Sequence, residues 1–178
     1  MNLPRPSWIP LVLLLAGCAS QVPEAIRTAP PGAPSLARVR TDPAAWSGHA
    51  VRWGGEIVRV ENLSDHTLVY IVERPLDHDG RPRRSDHSDG RFIARIRGFL
   101  DPAVYARRRE ITVAGKLDGI RRGRIGDYDY VYPVVDAGVV HLWPRRTRRK
   151  PPPPPPWYYD PWCPWYPWSC GPYPYWWR

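Results

Sequence analysis

The sequence lacks an apolar run long enough to span a membrane as a helix. Its main apolar run, residues 8–15, falls far short of the ~20 residues that a bilayer-spanning helix requires. Cysteine is also scarce, with Cys18 alone near the start and Cys163 and Cys170 together near the end. This uneven distribution predicts two separate roles for the cysteines.

Signatures of catalysis are missing too. No Ser or Cys lies beside a histidine in a nucleophile motif, and no glycine cluster follows a phosphate-loop pattern. No carboxylate pair stands out for acid–base chemistry. We therefore predict that the protein is not an enzyme and has no cofactor. The chain's histidines are His49, His66, His78, His87 and His141.

Residues 73–90 come nearest to a metal-binding pattern. Two aspartates precede Gly80 at a spacing faintly similar to a calcium loop, and histidine with aspartate is a zinc-type ligand set. Four arginines in the same segment oppose a cation, so we predict a solvated, self-compensating loop and no metal. The segment contains Asp77, His78, Asp79, Asp86, His87 and Asp89, with Arg74, Arg81, Arg83 and Arg84.

The start of the chain has the pattern of a lipoprotein signal. Arg5 precedes the apolar run, and residues 15–18 read Leu-Ala-Gly-Cys, a lipobox. Small residues give a peptidase access to the bond before Cys18, and the thiol of Cys18 takes up diacylglycerol. We therefore predict a signal peptide over residues 1–17 and a Cys18 that carries two or three acyl chains, palmitate among them, as a membrane anchor. No Asp follows Cys18, which favours the outer membrane.

Composition divides the rest of the chain into three parts. Residues 18–36 are Pro-rich without an apolar period, which predicts a disordered, lipidated tether. Residues 37–144 alternate in the manner of strands and predict a folded domain. Residues 145–178 are basic and then rich in Pro, Trp and Tyr, which predicts a tail without regular structure.

The domain over residues 37–144 is expected to be mainly β. Strands are predicted over residues 51–60, 67–72, 91–97, 111–117 and 128–143, with a helical turn over 41–46 and a short helix over 101–109. This order predicts a small OB-fold-like, five-stranded Greek-key barrel with one short helix. An irregular β-sandwich is the alternative.

Arginine-rich positions raise nucleic acid as an alternative partner. Arg91, Arg95 and Arg97 alternate with apolar residues on the third strand, and Arg107–Arg109 and Arg121–Arg122 follow. Such a face is able to follow a nucleic-acid backbone. The export signal argues against that ligand, so we predict no nucleic-acid partner and a solvated basic rim that contacts anionic lipid or glycan.

Several blocks in the domain resemble a known family. Together with the lipobox, they resemble the Slp family of starvation-inducible outer-membrane lipoproteins, over Cys18 to about Trp143. The resemblance implies a cell-envelope role linked to starvation or stress, and it supplies no catalytic residue. The matching blocks are residues 51–57, 74–77, 79–82, 90–92, 98–102, 111–115, 130–135 and 141–143.

The tail has two parts. A basic run is predicted to contact anionic headgroups, with a solvated linker as an equal alternative. Six prolines at 151–156 predict a stiff rod of roughly 19 Å, and the aromatics beyond it fit an interfacial membrane contact, an adhesive patch or a disordered tail. The basic run consists of Arg145, Arg146, Arg148, Arg149 and Lys150.

These observations favour an outer-membrane lipoprotein with a non-catalytic structural or stress-protective role in the envelope. The alternative is a periplasmic binding module for glycan or an anionic envelope ligand. The predicted partners are the membrane, through Cys18, and anionic lipid, lipopolysaccharide or glycan. The sequence leaves the oligomeric state open.

Export predicts a disulfide between Cys163 and Cys170, because the compartment outside the cytoplasm is oxidising and the two lie in one short segment. Peptide mapping of the native protein should find these two cysteines linked, with alkylation only after reduction. Two freely alkylated thiols in the unreduced protein would contradict this prediction.

Overall fold

The computed structural model describes residues 22–146, and the bounds below refer to that range. The N-terminal part contains α1 (Glu24–Arg27), α2 (Leu36–Thr41) and a 3-10 helix (Ala44–Trp46). No helix among residues 22–146 is both long and apolar enough to cross a membrane. The strands that follow are β1 (Ala50–Asn62), β2 (His66–Glu73), β3 (Arg91–Arg97), β4 (Glu110–Ile125) and β5 (Tyr128–Leu142).

The five strands form a closed barrel in the order β1-β2-β3-β5-β4. All neighbours are antiparallel except β3 and β5, which pair in parallel over residues 93–95 and 134–136. This order confirms the OB-fold-like five-stranded barrel, and the sandwich alternative is wrong. Closure leaves no long open edge for another strand to join.

Strand β1 joins β2 to β4, and its residues Gly55 and Glu56 pair with both neighbours. Gly55 lies in the ladder with Glu73 of β2 and also in the ladder with Ile111 of β4. A Cβ on Gly55 would lie 1.8 Å from the Val72 carbonyl oxygen. The glycine therefore permits a close approach of two backbones, and a shift in the β1–β2 register lies nearby, between Ile57 and Arg59.

The barrel interior is filled by branched apolar side chains and two aromatic rings. Trp53 packs edge-to-face against Phe92 with ring centroids 5.3 Å apart. The predicted alternation on β3 is confirmed, since Phe92, Ala94 and Ile96 belong to this core. Ile93, on the opposite face of β3, is also fully buried, which the alternation did not predict.

The burial of Ile93 follows from the β4–β5 hairpin. The two strands pair along their length, from Ile111 opposite Leu142 at one end to Ile125 opposite Tyr128 at the other. A two-residue turn at Gly126 joins them. Residues of the hairpin cover the outer faces of β2 and β3 and form a second apolar cluster there. This outer cluster consists of Leu68, Tyr70, Ile93, Tyr130, Tyr132 and Val134, with Ile125 packed against it.

The short helix predicted over residues 101–109 is wrong. This connection consists of turns, with one helical hydrogen bond from the Tyr105 amide to the Asp101 carbonyl. The Asp101 carboxylate accepts the amide of Ala103. Arg108 has a φ of +68°, which ends any helical path because this backbone conformation disfavours a helix of L-residues.

The tether predicted over residues 18–36 is also wrong for its described part, residues 22–36. Ile26 and Leu36 are buried against the barrel, and the indole of the interior Trp53 donates to the Pro34 carbonyl at 3.1 Å. The Arg52 guanidinium donates to the Ile26 carbonyl at 3.0 Å. Few apolar side chains suffice here because the barrel wall supplies the other half of each contact.

Gly55→Ala should destabilise the barrel because the added methyl overlaps the Val72 carbonyl. We expect a loss of about 3 kcal/mol in the free energy of unfolding, typical of severe overpacking, measured by urea denaturation. Gly138→Ala is the matched control, since a Cβ there has no neighbour nearer than the Ala114 oxygen at 4.0 Å. Equal stability of the two variants would contradict this account of barrel closure.

Candidate functional site

Most of the predicted site residues lie outside the described range. Cys18, Cys163, Cys170, Arg148, Arg149 and Lys150 are in this group, so their roles stay predictions. Arg145 and Arg146 are described, and both are exposed at the end of the barrel domain. Their exposure is compatible with contact to an anionic surface.

The arginines expected to form one basic rim have different environments. Arg95 is engaged by two carboxylates, Asp118 at 2.6 Å and Asp136 at 3.5 Å. Arg109 donates to the carbonyls of Val104 and Trp143. A continuous basic track along β3 and the following connection is therefore interrupted, because these two cations already have internal partners.

Arginines gather instead in one cleft between the hairpin and the outer face of β1 and β2. The cleft has a volume of about 250 Å³. Val58, Tyr70 and Tyr132 contribute to its lining together with the turn at Gly126. The cations that line it are Arg59, Arg91, Arg121, Arg122 and Arg124.

Two tyrosines give this arginine cleft a rigid floor. The ring of Tyr70 packs edge-to-face on Tyr132 with centroids 5.5 Å apart. The Tyr70 hydroxyl donates to the Glu61 carboxylate at 3.0 Å, and the Arg59 guanidinium lies over the Tyr70 ring, 3.9 Å from its centroid. Burial raises the pKa of the Tyr70 hydroxyl, with Glu61 acting in the same direction and Arg59 and Arg121 opposing.

The charges in the cleft are only partly balanced. Arg59 pairs with Glu61 at 3.3 Å, and Arg124 pairs with Asp127 at 3.2 Å and more loosely with Asp129. Of residues 22–146, no carboxylate forms an ion pair with Arg91, Arg121 or Arg122. The cleft therefore holds an excess of positive charge.

The strand register explains how these arginines meet. Arg121 of β4 lies opposite Tyr132 of β5, so the two share a face of the hairpin. Arg91 begins β3, and its amide donates a hydrogen bond to the Tyr130 hydroxyl oxygen at 2.7 Å. Sequence reasoning identified Arg91 and Arg121–Arg122 as basic positions. It missed their convergence with Arg59, because the strand character of residues 118–125 was not predicted.

The segment with metal-like residues is organised by its own backbone. The Asp77 carboxylate accepts the amides of Asp79 at 3.0 Å and Arg81 at 2.8 Å. Potential ligand atoms of Asp77, His78 and Asp79 lie within 4.8 Å of one another, yet the Asp77 oxygen that meets those amides serves the turn. The expectation of a freely solvated loop is wrong for Gly80, whose Cα is packed against the Ile26 carbonyl.

A buried polar network fixes the point where the chain leaves the barrel. The Trp143 indole donates to the Thr112 hydroxyl at 2.9 Å, and that hydroxyl donates to the Gly80 carbonyl at 2.7 Å. Arg81 pairs with Glu110 at 2.7 Å and donates to the Pro144 carbonyl. These contacts join the loop, β4 and the end of β5, which makes the network structural.

Glu73, the last residue of β2, is a half-buried carboxylate. Its oxygen accepts the Asp89 amide at 2.8 Å. Burial raises the pKa of the Glu73 carboxyl, and the backbone hydrogen bond opposes that shift. Burial also lowers the pKa of His141, whose ring packs on Trp143. Glu73 and His141 share no hydrogen bond or ion pair with each other, so they do not form an acid–base pair.

Comparison with known proteins agrees with this architecture. A model of the outer membrane lipoprotein Slp family matches residues 15–177. The fold and this match define an outer-membrane lipoprotein built on a small β-barrel. The chain belongs to the outer membrane lipoprotein Slp family, which confirms the resemblance noted from the sequence blocks and the predicted outer-membrane location.

Individual relatives extend this result. The uncharacterized lipoprotein YeaY of Escherichia coli (strain K12) is 36% identical over 132 residues, covering 74% of this chain and 67% of the relative. The outer membrane protein Slp of the same strain is 32% identical over 149 residues, covering 82% and 78%. An uncharacterized protein of Haemophilus influenzae is 38% identical over 98 residues, covering 54% and 53%.

One solved structure is also similar. The small single-stranded DNA-binding protein from Streptomyces coelicolor aligns with 54% of this chain and 94% of its own length, at 14% identity and a TM-score of 0.33. A similarity this loose carries no information about ligands.

Thr112→Val should uncouple the buried network, because the Trp143 indole and the Gly80 carbonyl both lose their partner. We expect a loss of about 2 kcal/mol in the free energy of unfolding, measured by chemical denaturation. Thr112→Ser keeps the hydroxyl and should lose about half as much. A valine variant as stable as wild type would contradict the assigned role of the hydroxyl.

Proposed function

We propose that this protein is held on the outer membrane by lipid attached to Cys18 and has a non-catalytic structural or stress-protective role in the envelope. The observation that carries the proposal is the lipobox at residues 15–18, Leu-Ala-Gly-Cys, after a short apolar run. A sulfur atom that carries two or more acyl chains gives stable anchoring, whereas one chain gives marginal, reversible binding.

Two observations support a role without catalysis. The names of the relatives from Escherichia coli describe a lipoprotein and an outer-membrane protein and contain no enzyme activity. Within residues 22–146, Glu73 and His141, two groups whose pKa is shifted by burial, share no hydrogen bond or ion pair, whereas acid–base chemistry needs groups within hydrogen-bond reach of one reacting atom.

A second candidate function is a binding module for glycan or an anionic envelope ligand. The arginine cleft favours this candidate, because Arg91, Arg121 and Arg122 line it without carboxylate partners in the described part of the chain. The basic run at residues 145–150 adds a second contact in this proposal, directed to anionic headgroups at about 1 kcal/mol per near-surface charge.

Cys18→Ala should release the protein from the membrane, because the acyl acceptor is removed. Membrane fractionation should place wild type in the outer-membrane fraction and the variant in the soluble fraction or as unprocessed precursor. Mass spectrometry of wild type should find an acylated Cys18 at the mature N-terminus.

Cys163→Ala is the matched control for this experiment, since it also removes one sulfur atom but leaves the lipobox intact. It should fractionate with wild type. A wild-type mature chain that begins at another residue and carries no acyl group would refute the anchoring proposal.

A further inference from the structure

We infer that the arginine cleft binds a phosphomonoester, a phosphate group with two ionisable oxygens on a small headgroup or sugar. This inference deepens the second candidate function, the binding module, and rests on it. It assigns the ligand class and the residues that recognise it: Arg91, Arg121 and Arg122, with Arg59 beside them.

The positive charge of the cleft favours a phosphomonoester. Three guanidinium groups in one cleft have no carboxylate partner among the described residues, and Arg59 shares the carboxylate of Glu61 with the Tyr70 hydroxyl. A monocarboxylate brings one negative charge and would leave most of this excess unbalanced. A phosphomonoester brings up to two charges and three terminal oxygens, which suits several planar guanidinium donors at once.

The rigidity of the cleft also favours the binding of a small anion. Arg121 and Arg122 extend from a paired strand, and the start of β3 at Arg91 is held by the Tyr130 hydroxyl. Beneath them lie Tyr70 and Tyr132, which are 7% and 4% exposed. Arginines on paired strands meet an anion with little backbone ordering, and a floor of buried rings strengthens charge-assisted hydrogen bonds relative to those in open water.

Room for the ligand comes from Gly123. A Cβ at this position would lie 3.2 Å from the Tyr132 ring, so the glycine lets that ring approach β4 closely and adds no side chain to the lining of the cleft. The volume of about 250 Å³ is several times the ~30 Å³ share of a water molecule. It accommodates a phosphate with a few attached atoms.

The same features disfavour nucleic acid. A polymer backbone needs a chain of cations spaced along a groove. Arg95 is neutralised by Asp118 and Asp136, and Arg109 is used by backbone carbonyls. Arg91, Arg121 and Arg122 instead line one small cleft.

The test uses the full mature protein in nonionic detergent and calorimetric titration at low salt. Glucose 1-phosphate should bind saturably, while glucose and gluconate should bind at least about tenfold more weakly. The double variant Arg121→Gln with Arg122→Gln should lose at least about tenfold in affinity, because each lost guanidinium removes a charge-assisted hydrogen bond. Arg91→Gln should weaken binding independently of the hairpin.

Arg83→Gln with Arg84→Gln is the matched control, because it removes the same charge from exposed positions outside the cleft. Its affinity should equal that of wild type, and thermal unfolding should show that all variants fold. Equal losses in the two double variants would reduce the effect to net charge and overturn the inference.

Vesicles distinguish the two sources of phosphomonoester. Phosphatidylcholine vesicles that contain phosphatidic acid should bind the Cys18→Ala protein through the cleft if the group belongs to a lipid headgroup. Binding of glucose 1-phosphate alone assigns a soluble ligand. In both cases the Arg121 and Arg122 variant should lose the interaction, whereas phosphatidylcholine alone should not bind.

The remaining outcomes distinguish a failure of the phosphate assignment from a failure of the binding-module function. Equal binding of glucose or gluconate would keep the binding module and overturn the phosphate assignment. Tighter binding of a single-stranded oligonucleotide would overturn it in favour of nucleic acid. No saturable binding of any probe would overturn both, while leaving the anchoring at Cys18 to its own experiment.

Discussion

The barrel depends on a close approach of backbones at one junction in β1. At Gly55 and Glu56, β1 meets β2 on one side and β4 on the other. Three backbones come together there, and only a residue without a side chain fits against the Val72 carbonyl. Once this junction exists, β3 reaches β5 through a short parallel contact and the sheet closes.

Closure also produces the outer surface on which the arginines gather. The hairpin of β4 and β5 is longer than the barrel needs, and its far half covers β2 and β3 with a cluster that includes Tyr130 and Tyr132. A second small apolar core thus forms outside the first. It supports the arginine cleft, whose cations come from three different strands, β1, β3 and β4.

Sequence patterns predicted the parts of the fold that depend on local alternation. The inward face of β3 and the order of the five strands follow from such patterns, and the structure confirms them. The helix over residues 101–109 failed because Asp101 and Pro102 are equally good turn residues. The prediction of a tether was wrong because Ile26 and Leu36 are isolated apolar residues in the sequence, and their burial depends on contacts with the barrel wall. The arginine cleft could not be predicted from local patterns either, because Arg59 and Arg121 come together only when the β4–β5 hairpin packs beside β1.

The packing of α1 on the barrel limits the distance between Cys18 and the barrel. Five residues lie between Cys18 and Glu24, and at up to ~3.5 Å per step along the chain the segment extends at most about 20 Å. A domain tethered by lipid at Cys18 is thus confined to a thin layer beside the bilayer, whatever path those residues take. Confinement of this kind raises the effective concentration of membrane-borne ligands into the range of about millimolar, so even a weak binding site on this barrel would be occupied there.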